Sequence, residues 1–383
     1  MHQYRIGRIE RFPKQTILHI IGSLSRTLLA LTFLFSGFVK AVDPLGTVYK
    51  VEDYLTDGFE GLLHWADPLA GTLAVLLITT ELLLGVTMLF NVRSRWTSWI
   101  TLIFYLIMTP ITLYIAIDNP VKDCGCFGDA LVITNWQTFY KNIVLLALAI
   151  LFVLFRKSIP QLFNWWAELI IALIGLGFAA GIMGYSYTHL PIIDFRPYKV
   201  GNNISELMNN GEGAIVNFYY TLEKDGIQQE FLYQDRPDLK GDTTWTKLDQ
   251  KSRTVTIREA KEPTIKDFIL GNEDITEEIL TSETPVTLII MYDLNKVSRK
   301  QAEKIMPLYN QCIEHGEMCY MPTTSDKKTI NAFAQQIGMD QETAEQVFIL
   351  GDEKLLKTII RANPGVVVLK EGVVMEKHNM RQL

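Results

Sequence analysis

Two cysteines one residue apart, Cys124 and Cys126, are the residues of this sequence whose types and spacing most clearly suggest chemistry. They lie in the short segment Cys-Gly-Cys-Phe-Gly, residues 124–128, between two strongly apolar stretches. In an oxidising compartment such a pair can exist as two thiols or as one disulfide, and a ring closed across a single residue is cramped enough to be readily reduced. Gly125 permits the tight backbone that contact between the two sulfurs needs. The leading hypothesis is therefore thiol–disulfide chemistry beside a membrane.

The same two cysteines have other interpretations. They could form a static disulfide that staples the loop, or each could pair with another cysteine. A copper or zinc site would need further His or Cys ligands, and none lie nearby in the sequence, so no metal site is predicted. Asp123 directly precedes the motif and is expected to raise the pKa of a neighbouring thiol, which argues against a strongly activated nucleophile. The sequence favours the redox interpretation and leaves the others open.

The composition divides the chain into two halves. Of the 383 residues, 48% are hydrophobic and 20% are charged, and nearly all long apolar runs lie within residues 1–190. Residues 195–383 have the mixed charge of a soluble domain and carry most of the net charge of -6. No basic patch interleaved with aromatic residues is present, which argues against nucleic acid as a partner. P-loop, dinucleotide and serine-hydrolase motifs are also absent, which disfavours nucleotide-dependent and hydrolytic chemistry.

Five apolar stretches are long enough to cross the hydrocarbon core of a bilayer, so lipid is an expected partner. They cover residues 17–39, 66–91, 97–117, 138–156 and 168–187. Basic residues cluster before the first stretch, between the second and third, and after the fourth, namely Arg5, Arg8, Arg11, Lys14, Arg93, Arg95, Arg156 and Lys157. This distribution predicts a cytoplasmic N-terminus. The loop with Cys124 and everything after residue 188 are then predicted outside the cytoplasm.

Two charged residues lie well inside the predicted spans. At 1.5 Å per residue, Arg26 lies about 14 Å from the cytoplasmic end of the first span, and Glu81 lies about 15 Å from that of the second. An unpaired charge in hydrocarbon is costly, so we expect Arg26 and Glu81 to form an intramembrane charge pair. Such a pair could lock two helices together or mark a proton- or quinone-facing site.

These features resemble the DoxX and MauE group of small membrane proteins, which share a four-helix bundle. The resemblance covers residues 17–156 and rests mainly on the C-x-C-F-G segment, which is the more MauE-like signature. Further matching residues are Arg26, residues 36–40, Asp43, Pro44, Glu81, Gly85, Trp136 and Asn142. The resemblance implies redox association in the bacterial inner membrane, with periplasmic thiol or disulfide proteins as candidate partners and a quinone as the candidate cofactor.

The second half of the sequence predicts a small β-rich segment followed by an α/β domain. Turns are expected at Asp225-Gly226 and at Gly271-Asn272, the latter leading into a short helix. The predicted strands cover residues 215–222, 228–233, 265–270, 286–292, 318–321, 346–350, 365–369 and 373–376, and the predicted helices cover 297–313, 326–337 and 353–361. With Asn363-Pro364 before the terminal hairpin, this order resembles a thioredoxin-like domain, in which the proline before the third core strand is usually cis.

The chemistry of thioredoxins does not carry over to this domain. A thioredoxin would place C-x-x-C just after the first strand, whereas residues 292–298 read Tyr-Asp-Leu-Asn-Lys-Val-Ser. The domain is therefore predicted to bind or present a partner. Cys312 and Cys319 could pair with each other, remain separate buried residues, or exchange with Cys124 or Cys126.

The predicted fold class is a membrane all-α helical bundle, a DoxX/MauE-like four-helix core plus a fifth transmembrane helix, followed by an extracytoplasmic α/β thioredoxin-like domain. The predicted domain ranges are 1–160, 161–190, 191–284 and 285–383. The predicted function is a redox-associated inner-membrane protein that exchanges thiols and disulfides, or transfers electrons, through Cys124 and Cys126. The alternative is a non-enzymatic envelope assembly or binding protein, in which the disulfide is structural.

Overall fold

The computed structural model describes residues 14–56, 58–61, 63–121, 124–235, 246–247, 253–258 and 260–383. The internal contacts divide the chain into two compact units that meet in the sequence between Arg196 and Pro197. The basic residues Arg5, Arg8 and Arg11, on which the predicted topology partly depends, lie outside the described residues. Each unit is described by itself below.

The first unit is helical. Its α-helices are α1 (Lys14–Val42), α2 (Pro44–Thr56), α3 (Ala70–Leu89), α4 (Ser94–Asp118), α5 (Asn135–Phe155) and α6 (Trp165–Thr188). Five helices are long and apolar enough to cross a membrane, at Gln15–Val42, His64–Leu89, Ser94–Asp118, Asn135–Ser158 and Trp165–Thr188. The five predicted spans are thereby confirmed as apolar helices. The start of α5 is fixed by a capping box, in which Thr134 and Gln137 each accept from the other's backbone N–H.

The structure contains a further helix, α2, between the first two predicted spans. Helix α2 follows α1 after a single residue and buries Val48 and Leu55 against alanines near the start of α3. Its remaining positions include Lys50, Glu52 and Asp53, so its composition is too polar for a hydropathy search to detect. The helix matters for function because it carries Tyr54, which reaches the cysteine loop.

Helices α1 and α3 pack closely because small residues lie where they meet. A Cβ atom on Gly85 would lie 2.8 Å from the backbone nitrogen of Leu34, and one on Gly37 would lie 2.9 Å from that of Leu82. Both distances are shorter than any real Cβ contact, so only glycine permits this approach. The close approach fixes the register of α1 along α3.

The second unit, Pro197–Met380, contains two sheets. In the first, β1 (Ile215–Lys224) pairs antiparallel with β2 (Ile227–Leu232), β3 (Thr246–Lys247) and β4 (Arg253–Arg258). The second has the order β7-β6-β5-β8-β9, in which β5, β6 and β7 are parallel, β8 is antiparallel to β5, and β9 is antiparallel to β8. Its strands are β5 (Val286–Ile290), β6 (Met318–Thr323), β7 (Phe348–Leu350), β8 (Gly365–Lys370) and β9 (Val373–Asn379).

Helices cover this mixed sheet and begin the unit. They are α7 (Ile204–Asn209), α8 (Glu273–Thr281), α9 (Arg299–Glu314), α10 (Lys327–Ile337), α11 (Gln341–Val347) and α12 (Glu353–Ile359). The predicted order of strands and helices after residue 285 is confirmed, with α11 as an addition. The Asn363–Pro364 peptide bond is cis.

Two predictions for the segment before the mixed sheet have different outcomes. The hairpin turn is confirmed, since Asp225 and Gly226 both have positive φ, as a two-residue turn of this kind requires. The strand predicted at residues 265–270 is wrong, because only Leu270 forms an isolated bridge there, to Gly351. Ile265, Phe268 and Leu270 are the buried residues of that segment, and this spacing does not match the two-residue period of a strand.

Candidate functional site: the dithiol loop

Residues 124–128, here called the dithiol loop, bring the two sulfurs of the C-x-C motif into contact. The Sγ atoms of Cys124 and Cys126 lie 3.0 Å apart, and both cysteines are free and half-buried. A disulfide has an S–S distance of about 2.0 Å, so the predicted disulfide is not formed here and the pair is a dithiol. Gly125 and Gly128 both have positive φ, which lets the loop turn back on itself.

Two helices hold the loop by its backbone carbonyls. From α1, Ser36 Oγ and Lys40 Nζ both donate to the carbonyl oxygen of Cys126, at 2.7 and 2.6 Å. From α2, Tyr54 donates its hydroxyl to the carbonyl of Cys124 at 2.7 Å. These side chains fix the backbone on both sides of Gly125, so the two thiols keep their mutual orientation.

The aromatic end of the loop is held by packing. The ring of Phe127 lies against that of Phe35, with 5.3 Å between centroids. The ammonium of Lys141, on α5, lies over the same ring, 4.4 Å from the centroid of Phe127. Lys141 is the only charged residue of the fourth predicted span before Arg156, and this isolation in an apolar stretch was the signal that could have identified it.

The intramembrane carboxylate is paired with a different cation from the one predicted. Glu81 accepts from Lys40 Nζ through both oxygens, at 3.0 and 2.8 Å, and both side chains are buried. Arg26 instead donates to the backbone carbonyl of Leu89 at 3.3 Å. The predicted Arg26–Glu81 pair is therefore wrong.

The physical reason is the register of the two helices. Arg26 lies beside Leu89, the last residue of α3. Glu81 precedes Leu89 by eight residues, which is about 12 Å along the helix axis. The prediction also ended the first span at residue 39 and so left Lys40 outside it. In the structure α1 continues to Val42, which places Lys40 inside the helix, one turn after Ser36.

The surroundings of the loop shift the pKa values of the two thiols in opposite directions. The hydrogen bond between the two thiols lowers the pKa of Cys126 to about 6, and the nearby charges of Lys141 and Lys40 also lower it, whereas burial and Glu81 act in the opposite direction. The same hydrogen bond, together with burial, raises the pKa of the Cys124 thiol. The expectation that Asp123 raises the pKa of a neighbouring thiol stays a prediction. Asp123, on which that expectation depended, lies outside the described residues.

A second pair of neighbouring thiols lies in the α/β unit. Cys312 near the end of α9 and Cys319 in β6 are both free and buried, and their side chains are hydrogen-bonded to each other. That hydrogen bond lowers the pKa of Cys312 to about 7 and, with burial, raises the pKa of Cys319. The carboxylate of Glu317 acts against the thiolate at both sulfurs. The two cysteines are thus adjacent, without the disulfide that one hypothesis proposed.

The segment that would carry C-x-x-C in a thioredoxin has a polar contact instead. Asn363 donates its side-chain amide to the carbonyl of Asp293 at 2.7 Å, and Lys296 forms an ion pair with the carboxylate of Asp293 at 3.1 Å. Within the described part of the chain, no group of three or more His, Cys, Asp or Glu side chains could hold a metal ion. The sulfur chemistry of the described residues is therefore confined to the two dithiols.

Comparison with known proteins identifies the membrane unit. Residues 18–155 match the family model of methylamine utilisation protein MauE. The match includes α1 to α5 and the dithiol loop, and it ends before α6. No curated protein and no solved structure gives a significant match to the chain. The MauE resemblance inferred from the C-x-C segment is thereby confirmed, since residues 18–155 match the model of a membrane redox-associated family.

Proposed function

We propose that the membrane unit exchanges thiols and disulfides with a partner through the dithiol loop, with Cys126 as the attacking and Cys124 as the resolving cysteine. The observation that carries this proposal is the 3.0 Å contact between the two sulfurs beside the ammonium groups of Lys40 and Lys141. A thiolate is the nucleophile in such exchange, and a thiol whose pKa lies near or below ambient pH supplies it.

The reaction consists of two displacements. The Cys126 thiolate attacks a disulfide of the partner, which forms a mixed disulfide and releases one partner thiolate. Cys124 loses its proton to that thiolate or to water, and its sulfur attacks the sulfur of Cys126, which releases the second partner sulfur. Two electrons have then passed from the dithiol to the partner disulfide, leaving a Cys124–Cys126 disulfide. The reverse sequence oxidises a partner dithiol.

Continued turnover needs a second redox partner. Reduction of the loop disulfide would take two electrons and two protons from a thiol protein or a membrane quinol, and oxidation of the dithiol would deliver them to a disulfide protein or a quinone. The proposed location is the bacterial inner membrane, with the loop and the α/β unit on the periplasmic side, as the positive-inside rule predicts.

The first test is the reduction potential of the Cys124/Cys126 pair. Membranes would be equilibrated in a series of poised thiol buffers, and each cysteine would be mapped by alkylation and mass spectrometry. A potential above about -250 mV, in the range of exchange catalysts, is expected, whereas a potential below about -300 mV would mark a structural staple and favour the assembly function.

The order of the two cysteines is tested by trapping. Cys124→Ser is expected to accumulate a mixed disulfide at Cys126, because the resolving sulfur is missing. Cys126→Ser is expected to accumulate none, and Cys312→Ser, in the other unit, is expected to behave like the unsubstituted protein. Non-reducing electrophoresis with mass mapping distinguishes these results. Trapping at Cys124 in Cys126→Ser would reverse the proposed roles.

The α/β unit supports a second, complementary role as a docking domain. We propose that it is thioredoxin-like in fold and binds a partner without exchanging disulfides itself. The supporting observation is the polar contact between Asn363 and Asp293 where a thioredoxin has its reactive thiols. If the protein only assembles a complex, Cys124→Ser and Cys126→Ser would preserve function, and defects would map to substitutions in residues 197–380.

A further inference from the structure

Lys40 has every donor of its ammonium group engaged in a buried site. Nζ donates to Ser36 Oγ at 2.6 Å, to the two oxygens of Glu81 at 2.8 and 3.0 Å, and to the carbonyl of Cys126 at 2.6 Å. The side chain is only 6% exposed. An ammonium has three N–H donors, so this network leaves none for water.

Holding the loop backbone in place does not by itself require the charge of Lys40. Ser36 already donates to the carbonyl of Cys126 at 2.7 Å, which satisfies that oxygen. A buried ion pair costs several kcal/mol of desolvation per ion, and well-packed apolar side chains often stabilise a protein as much or more. The Lys40–Glu81 pair is therefore poorly explained as packing alone, and the contact of Lys40 with the backbone of Cys126 suggests an electrostatic role.

We propose that Lys40 is a positioning residue for Cys126: its ammonium holds the dithiol loop by the Cys126 carbonyl and supplies a counter-charge to the thiolate, while Glu81 fixes that ammonium and limits its effect. This inference rests on the proposed function, because it concerns the thiolate that the exchange reaction uses. It assigns opposite electrostatic effects to two residues that form one ion pair.

Several elements contribute titratable or charged groups around Cys126, and the test has to separate them. Among the described residues these groups are Lys40 of α1, Lys50 and Tyr54 of α2, Glu81 of α3, Tyr105 of α4, Cys124 of the loop and Lys141 of α5. The pKa of Cys126 is lowered by Lys141 and Lys40 and raised by Glu81. Substitution of Lys40 and of Glu81 should therefore shift this pKa in opposite directions.

The experiment measures the pH dependence of alkylation at Cys126 in the full-length protein in detergent. Iodoacetamide rates would be followed by mass mapping, and the unsubstituted protein should show a midpoint near pH 6. We expect Lys40→Met to raise the midpoint by about one pH unit and Glu81→Gln to lower it by a few tenths of a unit. Lys40→Arg, the conservative variant, should retain a midpoint close to that of the unsubstituted protein.

A merely structural role would give a different pattern. If the pair only holds α1 to α3, the two single substitutions would loosen the same contact and shift the midpoint in the same direction or not at all, which would overturn the proposal. If a single variant does not fold, the double variant Lys40→Met/Glu81→Met leaves no unpaired charge. Its midpoint is expected above that of Lys40→Arg, and equal midpoints would overturn the proposal.

The result is independent of the exchange reaction, because alkylation detects the thiolate without a partner protein. Opposite shifts together with a reduction potential typical of a staple would support the role of Lys40 and reject exchange. A reduction potential typical of exchange catalysts, together with midpoint shifts in the same direction, would support exchange and reject the role of Lys40.

Discussion

The two cysteine pairs of this chain both place two interacting thiols side by side, but they differ in their surroundings. In each pair the two thiols are hydrogen-bonded to each other, so that one sulfur is favoured as a thiolate and the other as a thiol. The dithiol loop is half-buried and faces the ammonium groups of Lys40 and Lys141. Cys312 and Cys319 are 4% and 7% exposed, and the negative carboxylate of Glu317 disfavours the thiolate at both sulfurs.

This difference shows that a thiol pair alone does not define a redox site. Reactive cysteines lie in partly exposed, electropositive surroundings, whereas buried cysteines in apolar or acidic surroundings are inert. By these criteria the loop pair is the better candidate for a redox site, and the pair in the α/β unit belongs to a hydrophobic core. Three predictions below would sharpen or break this comparison, in decreasing order of expected effect.

The largest effect should come from separating the helices that support the loop. Gly85→Leu places a side chain against the backbone of Leu34 and should cost about 3 kcal/mol or more of bundle stability, since overpacking forces the helices apart. The Lys40–Glu81 contact and the enhanced reactivity of Cys126 should be lost together. Thermal unfolding in detergent and alkylation mapping would measure both.

Gly71→Leu is the matched control for this substitution. Gly71 lies on the same helix, but a Cβ atom there would meet nothing within 4 Å, so stability and reactivity should change little. Alkylation of Cys312 should be unaffected by either variant, because it lies in the other unit. Equal losses in Gly85→Leu and Gly71→Leu would contradict the role of the close helix contact.

An intermediate effect is expected for native-state reactivity at pH 7. Cys126 should be mostly thiolate, because its pKa is lowered to about 6, and should react with iodoacetamide on the order of 100-fold faster than Cys312 or Cys319, because burial limits access of the reagent to those two sulfurs. In denaturant the rates should become similar. Comparable native rates would show that burial of Cys312 and Cys319 does not distinguish the two pairs.

The smallest effect concerns the acidic neighbour of the second pair. Glu317→Gln removes a negative charge that opposes the Cys312 thiolate, so the pKa of Cys312 should fall below its value of about 7 by a few tenths of a unit. The alkylation rate at pH 6 should rise correspondingly. Glu314→Gln, an exposed residue at the end of α9, is the control and should leave the rate unchanged. A higher pKa in Glu317→Gln would contradict the assigned effect of the carboxylate.

Much of the fold follows from local patterns. The five apolar helices could be located from length and hydropathy, because a bilayer of fixed thickness needs about 20 apolar residues per helix. Strand and helix order after residue 285 could be predicted from periodicity, and Asp225-Gly226 identified a hairpin turn. Helix α2 was missed, because its polar positions conceal the buried residues Val48 and Leu55.

The candidate site was only partly visible in the sequence. Cys124 and Cys126 could be identified from their spacing, since two neighbouring thiols are unusual in a loop between apolar spans. The partners Ser36, Lys40 and Tyr54 come from other helices, and no local pattern relates them to the loop. The sequence also led to the prediction that Arg26 pairs with Glu81. It gives the depth of each residue from the end of its span, but it does not give the register between the two helices.

The sequence by itself determined the two-part organisation, the apolar helices, the alternation of the α/β region and the candidate redox pair Cys124 and Cys126, because these depend on composition and on spacing along the chain. Tertiary structure alone decided that Lys40 pairs with Glu81, that Lys141 lies beside the loop, and that Cys126 is the favoured thiolate. The register of α1 along α3, set by the contacts of Gly37 and Gly85, brings these charges together, and electrostatic effects depend on distances in space that sequence separation does not specify.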